Sequence, residues 1–230
     1  MADGESPPED AEVKRLVRQH WRRRAATFDE EPEHAIHSDA QRERWLEVLE
    51  AWTPDPPRRT LDVGCGTGTI AVLLADLGHV VVGVDAAPEM VVRAREKAVS
   101  GGHDLPVALG DATGLGLVDD AVELVVERHL LWTLPDPVAA LAEWRRVLEP
   151  GGRLVCFEGR WDHDEVRGEY EAIHEDLPLY AGAPASEMAA VLAEAGFEAT
   201  EAAPLTDPVL RGREGELDHD YFVLAGTVPE

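Results

Sequence analysis

The chain has no asparagine, and Lys14 and Lys97 are its only lysines. Basic residues of any kind are scarce: 21 Lys plus Arg stand against 46 Asp plus Glu in 230 residues, a formal net charge of −25. A surface that acidic cannot neutralise phosphates over a broad face, which argues against a nucleic-acid backbone or an anionic bilayer as partner. Cysteine is nearly absent too. Cys65 and Cys156 cannot build a disulfide framework, and no C-x-x-C or close Cys/His set suggests a metal site. No apolar run approaches the roughly 18 residues of a membrane helix. The opening MADGESPPED lacks the basic-then-apolar order of a signal peptide. Together these absences predict a cytoplasmic protein without a metal.

What is present is an ordinary hydrophobic fraction of 44%, enough for one α/β domain of this length. Residues 1 to about 10 read as a disordered tail, and residues 11–230 as one domain. In its first part, 11–58, apolar positions recur every three or four residues through Val13, Leu16, Val17, Trp21, Ala25 and Phe28, then again from Trp45 to Trp52. Prolines 54, 56 and 57 stop the second helix. From 60 to 158 short Val-rich runs alternate with helical stretches. Continuous apolar runs, rather than alternating ones, indicate strands covered on both faces, so the expectation is a mostly parallel sheet between helices. Residues 160–184 fit no such unit and read as an insertion or cap carrying Trp161, Tyr170 and Tyr180. In 185–230 a helix precedes two strands with no helix between them, which predicts an antiparallel last strand.

The strongest local signal is LDVGCGTGTI, residues 61–70, where an apolar strand runs into Gly64, Gly66 and Gly68 and a helix starts at once. Glycines there allow positive φ and close approach of a ligand to the backbone. About 20 residues on, VVVGVD ends the next strand with Asp85, placed to accept hydrogen bonds from both hydroxyls of a ribose. A dinucleotide fingerprint would need glycine where Thr69 stands. A nicotinamide-dependent reductase therefore fits poorly.

The loop instead matches the (D/E)-x-G-x-G-x-G pattern of class I S-adenosylmethionine-dependent methyltransferases, with Asp62 as the acidic residue. Three further segments resemble that family in order: GVDAAPEM, GDATGLGL and RVLEPGGRLV, the last leading into a fifth strand. The resemblance implies a Rossmann-like seven-stranded sheet, S-adenosyl-L-methionine as cofactor, and methyl transfer to a small-molecule acceptor. It implies that Asp62, Gly64, Cys65, Gly66 and Gly68 form the cofactor loop and that Asp85 holds the ribose. Ala86 and Met90 would flank the adenine, Asp111 and Ala112 would read its edge, and Glu127 would lie beside the methyl group. WRRRAATFDE resembles the family's upstream W-(D/N)-x-R-A-x-x-Y-D segment, with Phe28 replacing the usual Tyr and folding over the cofactor.

Arg128 and His129 follow the fourth strand, where the resemblance places the methyl group. His129 is the best general-base candidate because imidazole titrates near neutrality, and Arg128 can bind a substrate carboxylate bidentately. Structural roles for both are the alternative. Without asparagine the N-P-P-(Y/F) motif of nucleic-acid amino-methyltransferases is impossible, so a small metabolite is favoured, with Trp132, Trp161, Tyr170 and Tyr180 as pocket walls. His34 and His37, spaced to share a helix face, and Asp162 and His163 would have to converge to hold a metal, and the spacing does not say so. A protein that binds the cofactor without turnover is the competing class.

Abundant carboxylates with almost no Lys also resemble proteins of salt-loving organisms, where molar salt screens self-repulsion to about 3 Å. On that reading, Tm rises by roughly 5–10 °C between low and molar KCl, worth a few kcal/mol for a chain of this size. Equal thermal stability at both salt concentrations discards it.

Overall fold

The computed structural model describes residues 10–160, 168–212 and 220–230. Of the expected tail, residues 1–9 lie outside the described residues, whereas Asp10 already opens the first helix, α1 (Asp10–Arg24). Acidic Asp10 and Glu12 sit in its first turn and Arg22, Arg23 and Arg24 in its last, the arrangement the helix dipole favours. A 3-10 turn at Phe28–Glu30 follows, then α2 (Asp39–Trp52), whose start is capped by Ser38 accepting from the Gln41 N–H. His34 and His37 lie in the turns between these elements, so the expected shared helix face does not exist. The cap at Ser38 explains this, since helical backbone begins only after it.

The remaining elements are β1 (Arg59–Val63), α3 (Thr69–Asp76), β2 (Val80–Asp85), α4 (Pro88–Ser100), β3 (Val107–Leu109), β4 (Val122–Arg128), α5 (Pro137–Val147), β5 (Leu148–Gly159), α6 (Ala185–Glu194), β6 (Glu198–Pro204) and β7 (Tyr221–Thr227). They build one seven-stranded sheet in the order β3-β2-β1-β4-β5-β7-β6. Strands β1 to β5 pair in parallel, and β7 runs antiparallel between β5 and β6. The α/β fold is therefore Rossmann-like and mostly parallel, with its last strand reversed. Among its described residues the β6–β7 link carries only a 3-10 turn, Pro208–Arg211, and a parallel pairing would need a longer crossover.

Each face of the sheet has its own core. Trp45, Leu49, Leu74 and Phe157 are buried on one side, and Leu141, Trp144, Leu154 and Met188 on the other. Burying an aliphatic or aromatic side chain of this size contributes about 1.5–3 kcal/mol, so both layers hold the sheet. Trp45 also donates its indole N–H to the Leu210 carbonyl at 2.8 Å, which ties α2 to the β6–β7 link. In the described part of the 160–184 segment, Tyr170, Ile173 and Leu177 bury themselves against Val13, so this segment covers α1. Trp161, Asp162 and His163 lie outside the described residues. No helix among the described residues is long and apolar enough to cross a membrane.

Strand order reverses between β1 and β4, and the loops leaving their carboxyl ends diverge there, opening a crevice. Trp45→Ala, which empties a fully packed site and leaves the Leu210 carbonyl with only its longer bond from Gln41, should destabilise the fold by about 3–5 kcal/mol in denaturant unfolding.

Candidate functional site

The crevice holds a cavity of about 530 Å³, within the range of small-molecule sites. Its floor is the end of β1 and the glycine loop, where Gly64, Gly66 and Gly68 take φ of +66°, +54° and +83°. A side chain at Gly64 would be strained by the left-handed backbone and would push Leu130 aside, since a Cβ there would stand 2.8 Å from its methyl groups. Across the floor the Asp85 carboxylate accepts from the Gly66 N–H at 2.9 Å and the Ala87 N–H at 2.8 Å. Burial raises its pKa, and these N–H donors hold it back. Each carboxylate oxygen keeps lone-pair capacity beyond those bonds, so the group can still accept from two hydroxyls.

Beside Asp85 the wall is made by Ala86 and Met90, then by Asp111 and Ala112 beyond β3. Asp111 accepts from the Thr113 N–H at 2.9 Å and from the Lys14 ammonium at 3.1 Å. Burial pushes its carboxyl up, but the donors at Thr113 and Lys14 outweigh it, so the net shift is downward. The roof is α1 and the turn after it. Trp21 meets Phe28 and Trp132 edge-on at 5.8 and 6.0 Å, and Phe28 stacks on His34 at 4.0 Å. The roof is clasped by charge: Arg22 bonds Glu89 at 2.9 Å, and Lys97 reaches Asp29 at 3.0 Å, Thr67 at 2.9 Å and Thr69 at 2.8 Å.

The far end is built by Arg128, His129, Leu130 and Trp132. Arg128 donates to the carbonyls of Glu33 at 3.3 Å and His34 at 2.8 Å, with its guanidinium over Trp45 at 5.4 Å. Burial lowers its pKa without bringing it near neutrality. His129 sits at φ +60°, a strained conformation for a residue with a side chain, and its ring stacks on Tyr221 at 5.3 Å. Burial, then the Arg128 charge, pushes its pKa well below 6.5, so the imidazole is neutral. His34, also on this wall, is pushed down to about 4 by burial and then by Arg128. Its Nδ1 lies 3.2 Å from the Phe28 carbonyl, which places the proton on Nδ1 and the lone pair on Nε2.

Of the residues singled out in the sequence, Phe28, Gly64, Gly66, Asp85, Ala86, Met90, Asp111, Ala112, Arg128, His129 and Trp132 come together on this cavity. Asp62, Cys65, Gly68 and Glu127 do not line it and lie behind its walls. Cys65 packs under Gly83, and Gly68 presses on Ala94 to seat α3 against α4. Asp62 is buried with its Oδ2 lacking a hydrogen-bond partner, and burial pushes it up to about 7. Tyr170 and Tyr180 stand behind Trp132, at 5.4 and 5.8 Å, rather than on the wall. Lys14, Arg18 and Glu33 were missed, and His34, singled out only beside His37 for a metal, lines the cavity instead. Lys14, Arg18 and Trp21 share one helix face by spacing, so the signal was there, but no local pattern says which surface that face meets. Among the described residues no three His, Cys, Asp or Glu side chains converge as a metal site.

A bare glycine floor and a carboxylate with spare acceptor capacity at the end of β2 fit an adenosyl ligand. A methyltransferase-domain family model matches residues 61–156. An uncharacterized transposon protein of Streptomyces fradiae is 34% identical, with the match covering 74% of this chain and 52% of that protein. The demethylmenaquinone methyltransferase of Renibacterium salmoninarum is 35% identical over 58% of this chain and 57% of its own. The chain thus spans about half the length of these curated relatives. Phosphoethanolamine N-methyltransferase 2 of Haemonchus contortus, solved with S-adenosyl-L-methionine, superposes with a TM-score of 0.70 at 15% identity, covering 100% of this chain and 62% of that one. At that identity the likeness shows the fold alone. The motifs in their order and the matched domain at their position agree: residues 61–156 form a methyltransferase domain, as in the class I S-adenosylmethionine-dependent methyltransferases.

Proposed function

We propose that this protein, acting through residues 11–230 as one domain, transfers a methyl group from S-adenosyl-L-methionine to a small-molecule acceptor. One observation carries the reading: a single cavity joins the Asp85 end to the Arg128–His129 end under one roof. Bound there, S-adenosylmethionine would supply an electrophilic methyl on a sulfonium. The chain's own work is alignment and exclusion of water. Gly64 and Gly66 offer bare backbone, Asp85 would hold the ribose, and Asp111 with Ala112 would meet the adenine edge. Trp21 and Phe28 close the roof against solvent. Holding reacting atoms near contact can supply about 7–11 kcal/mol of the barrier.

At the acceptor end Arg128 would anchor an anionic or acidic group through the N–H groups not spent on Glu33 and His34. His129 would take the proton from the attacking atom. As a neutral imidazole of lowered basicity it suits an acceptor whose own proton is acidic, and a neighbouring guanidinium makes that proton more acidic. The quinone named for the Renibacterium relative supports a small acceptor, as does a surface too acidic for a polyanion. A binding protein without turnover would share only the Asp85 end.

Asp85→Asn should weaken S-adenosylhomocysteine binding at least about tenfold, roughly 1.4 kcal/mol, in calorimetry with the fold intact by circular dichroism. His129→Ala should lower kcat about 10²-fold on an acceptor found by screening metabolites for S-adenosylhomocysteine release, with cofactor affinity unchanged. Full turnover in that variant removes His129 from the base role. Arg128→Met should raise KM for the acceptor by tenfold or more, whereas an unchanged KM assigns Arg128 to holding the roof alone.

A further inference from the structure

We propose that Glu127 and Glu158 are positioning residues, a buried carboxyl pair that clasps the backbone of Leu130 and Leu131 and so sets the acceptor end of the cavity. The inference rests on the reading that the acceptor binds there. Register pairs Glu127 on β4 with Cys156 on β5, so Glu158, two residues on, faces the same side of the sheet as Glu127. Both are fully buried. Glu127 Oε2 accepts from the Leu130 N–H at 3.0 Å, and Glu158 Oε1 accepts from the Leu131 N–H at 2.9 Å. Those two amides open the 3-10 turn Leu131–Thr133, and Leu130, Trp132, Thr133 and Leu134 all line the cavity. The clasp therefore holds the segment that carries this wall, with His129 in its left-handed conformation just before it.

The other oxygen of each acid, Glu127 Oε1 and Glu158 Oε2, is buried without a hydrogen-bond partner. Among the described residues no Lys, Arg or His nitrogen lies within 4.0 Å of either carboxyl. The titratable group that faces the pair is the Cys156 thiol of β5, held protonated by burial; the Tyr221 phenol of β7 packs on the other face of the sheet and is held protonated by burial too. Arg128, next in the chain to Glu127, is turned to the Glu33 and His34 carbonyls instead. Two carboxylates cannot both ionise in so dry a place without a cation.

Burial raises both acids, and the Glu158 charge raises Glu127 further; Glu158 is pushed up to about 8. An acid raised in the fold stabilises it fully below its unfolded value and loses that stabilisation as pH climbs through the folded one. The clasp is thus closed near neutrality and loosens above about pH 8. Ionisation of Glu158 then leaves a charge with no cation beside it in that dry site, which draws water in and carries the Leu130–Leu131 backbone with it.

Trp132 reports the movement without any acceptor. The protein is labelled with 5-fluorotryptophan, its Trp132 resonance is assigned with Trp132→Phe, and ¹⁹F spectra are followed from about pH 6 to pH 9, with S-adenosylhomocysteine titrated by calorimetry over the same range. The Trp132 signal should step with a midpoint near pH 8, while Trp45 and Trp144 stay flat. Glu158→Gln still accepts from Leu131 and adds a donor for Glu127, and it should abolish the step; Glu127→Gln leaves Glu158 to titrate and should shift the midpoint. A flat Trp132 signal in the wild-type protein overturns the proposal, and so does a step unchanged in both variants. If the wild-type titration is as expected but S-adenosylhomocysteine fails to bind at any pH, the clasp stands and the functional reading falls.

Discussion

The carboxylate of Asp85 organises this protein's site. It ends β2, and by accepting from the Gly66 and Ala87 amides it ties the glycine loop to the start of α4. Those bonds exist only because the loop backbone turns left-handed at Gly64, Gly66 and Gly68, which brings an amide rather than a side chain against the acid. The floor of the cavity and the seating of α3 on α4 follow from that one contact. Burial would otherwise drive the acid toward its neutral form, and the two N–H donors are what oppose this.

Charge, so abundant on the surface, is used sparingly and locally at the site. The chain's two lysines both fasten the roof: Lys14 fixes α1 to Asp111, and Lys97 fixes the 3-10 turn after it through Asp29. Arg22 adds a bidentate contact to Glu89. Pairs exposed to this degree each contribute only about 0–1 kcal/mol, so they set where the roof lies more than how stable the fold is. Trp21, Phe28 and the segment around Tyr170 supply the apolar contact beneath them.

The order of strands and helices was legible because Val-rich runs and helical periods are local. The glycine loop with Asp85 was legible because its spacing is also local. Asp62, Cys65, Gly68 and Glu127 were found by the same patterns, yet they lie behind the cavity. A motif marks which residues a loop needs, and it does not distinguish those that meet a ligand from those that hold the loop up. His34 was marked only by its spacing from His37, which misled because it sits in irregular backbone between a 3-10 turn and a capped helix.

By itself the sequence determined the doubly covered sheet, its reversed last strand and the glycine loop with Asp85 at one end of the cavity, since each depends on period or spacing. Only the tertiary structure decided what lines the other end. Glu158 reaches Leu131 across 27 positions, Lys14 reaches Asp111 across 97, and Arg128 meets the His34 carbonyl across 94. Contacts of that range are set by how the sheet twists and where its helices pack, which no window of sequence contains.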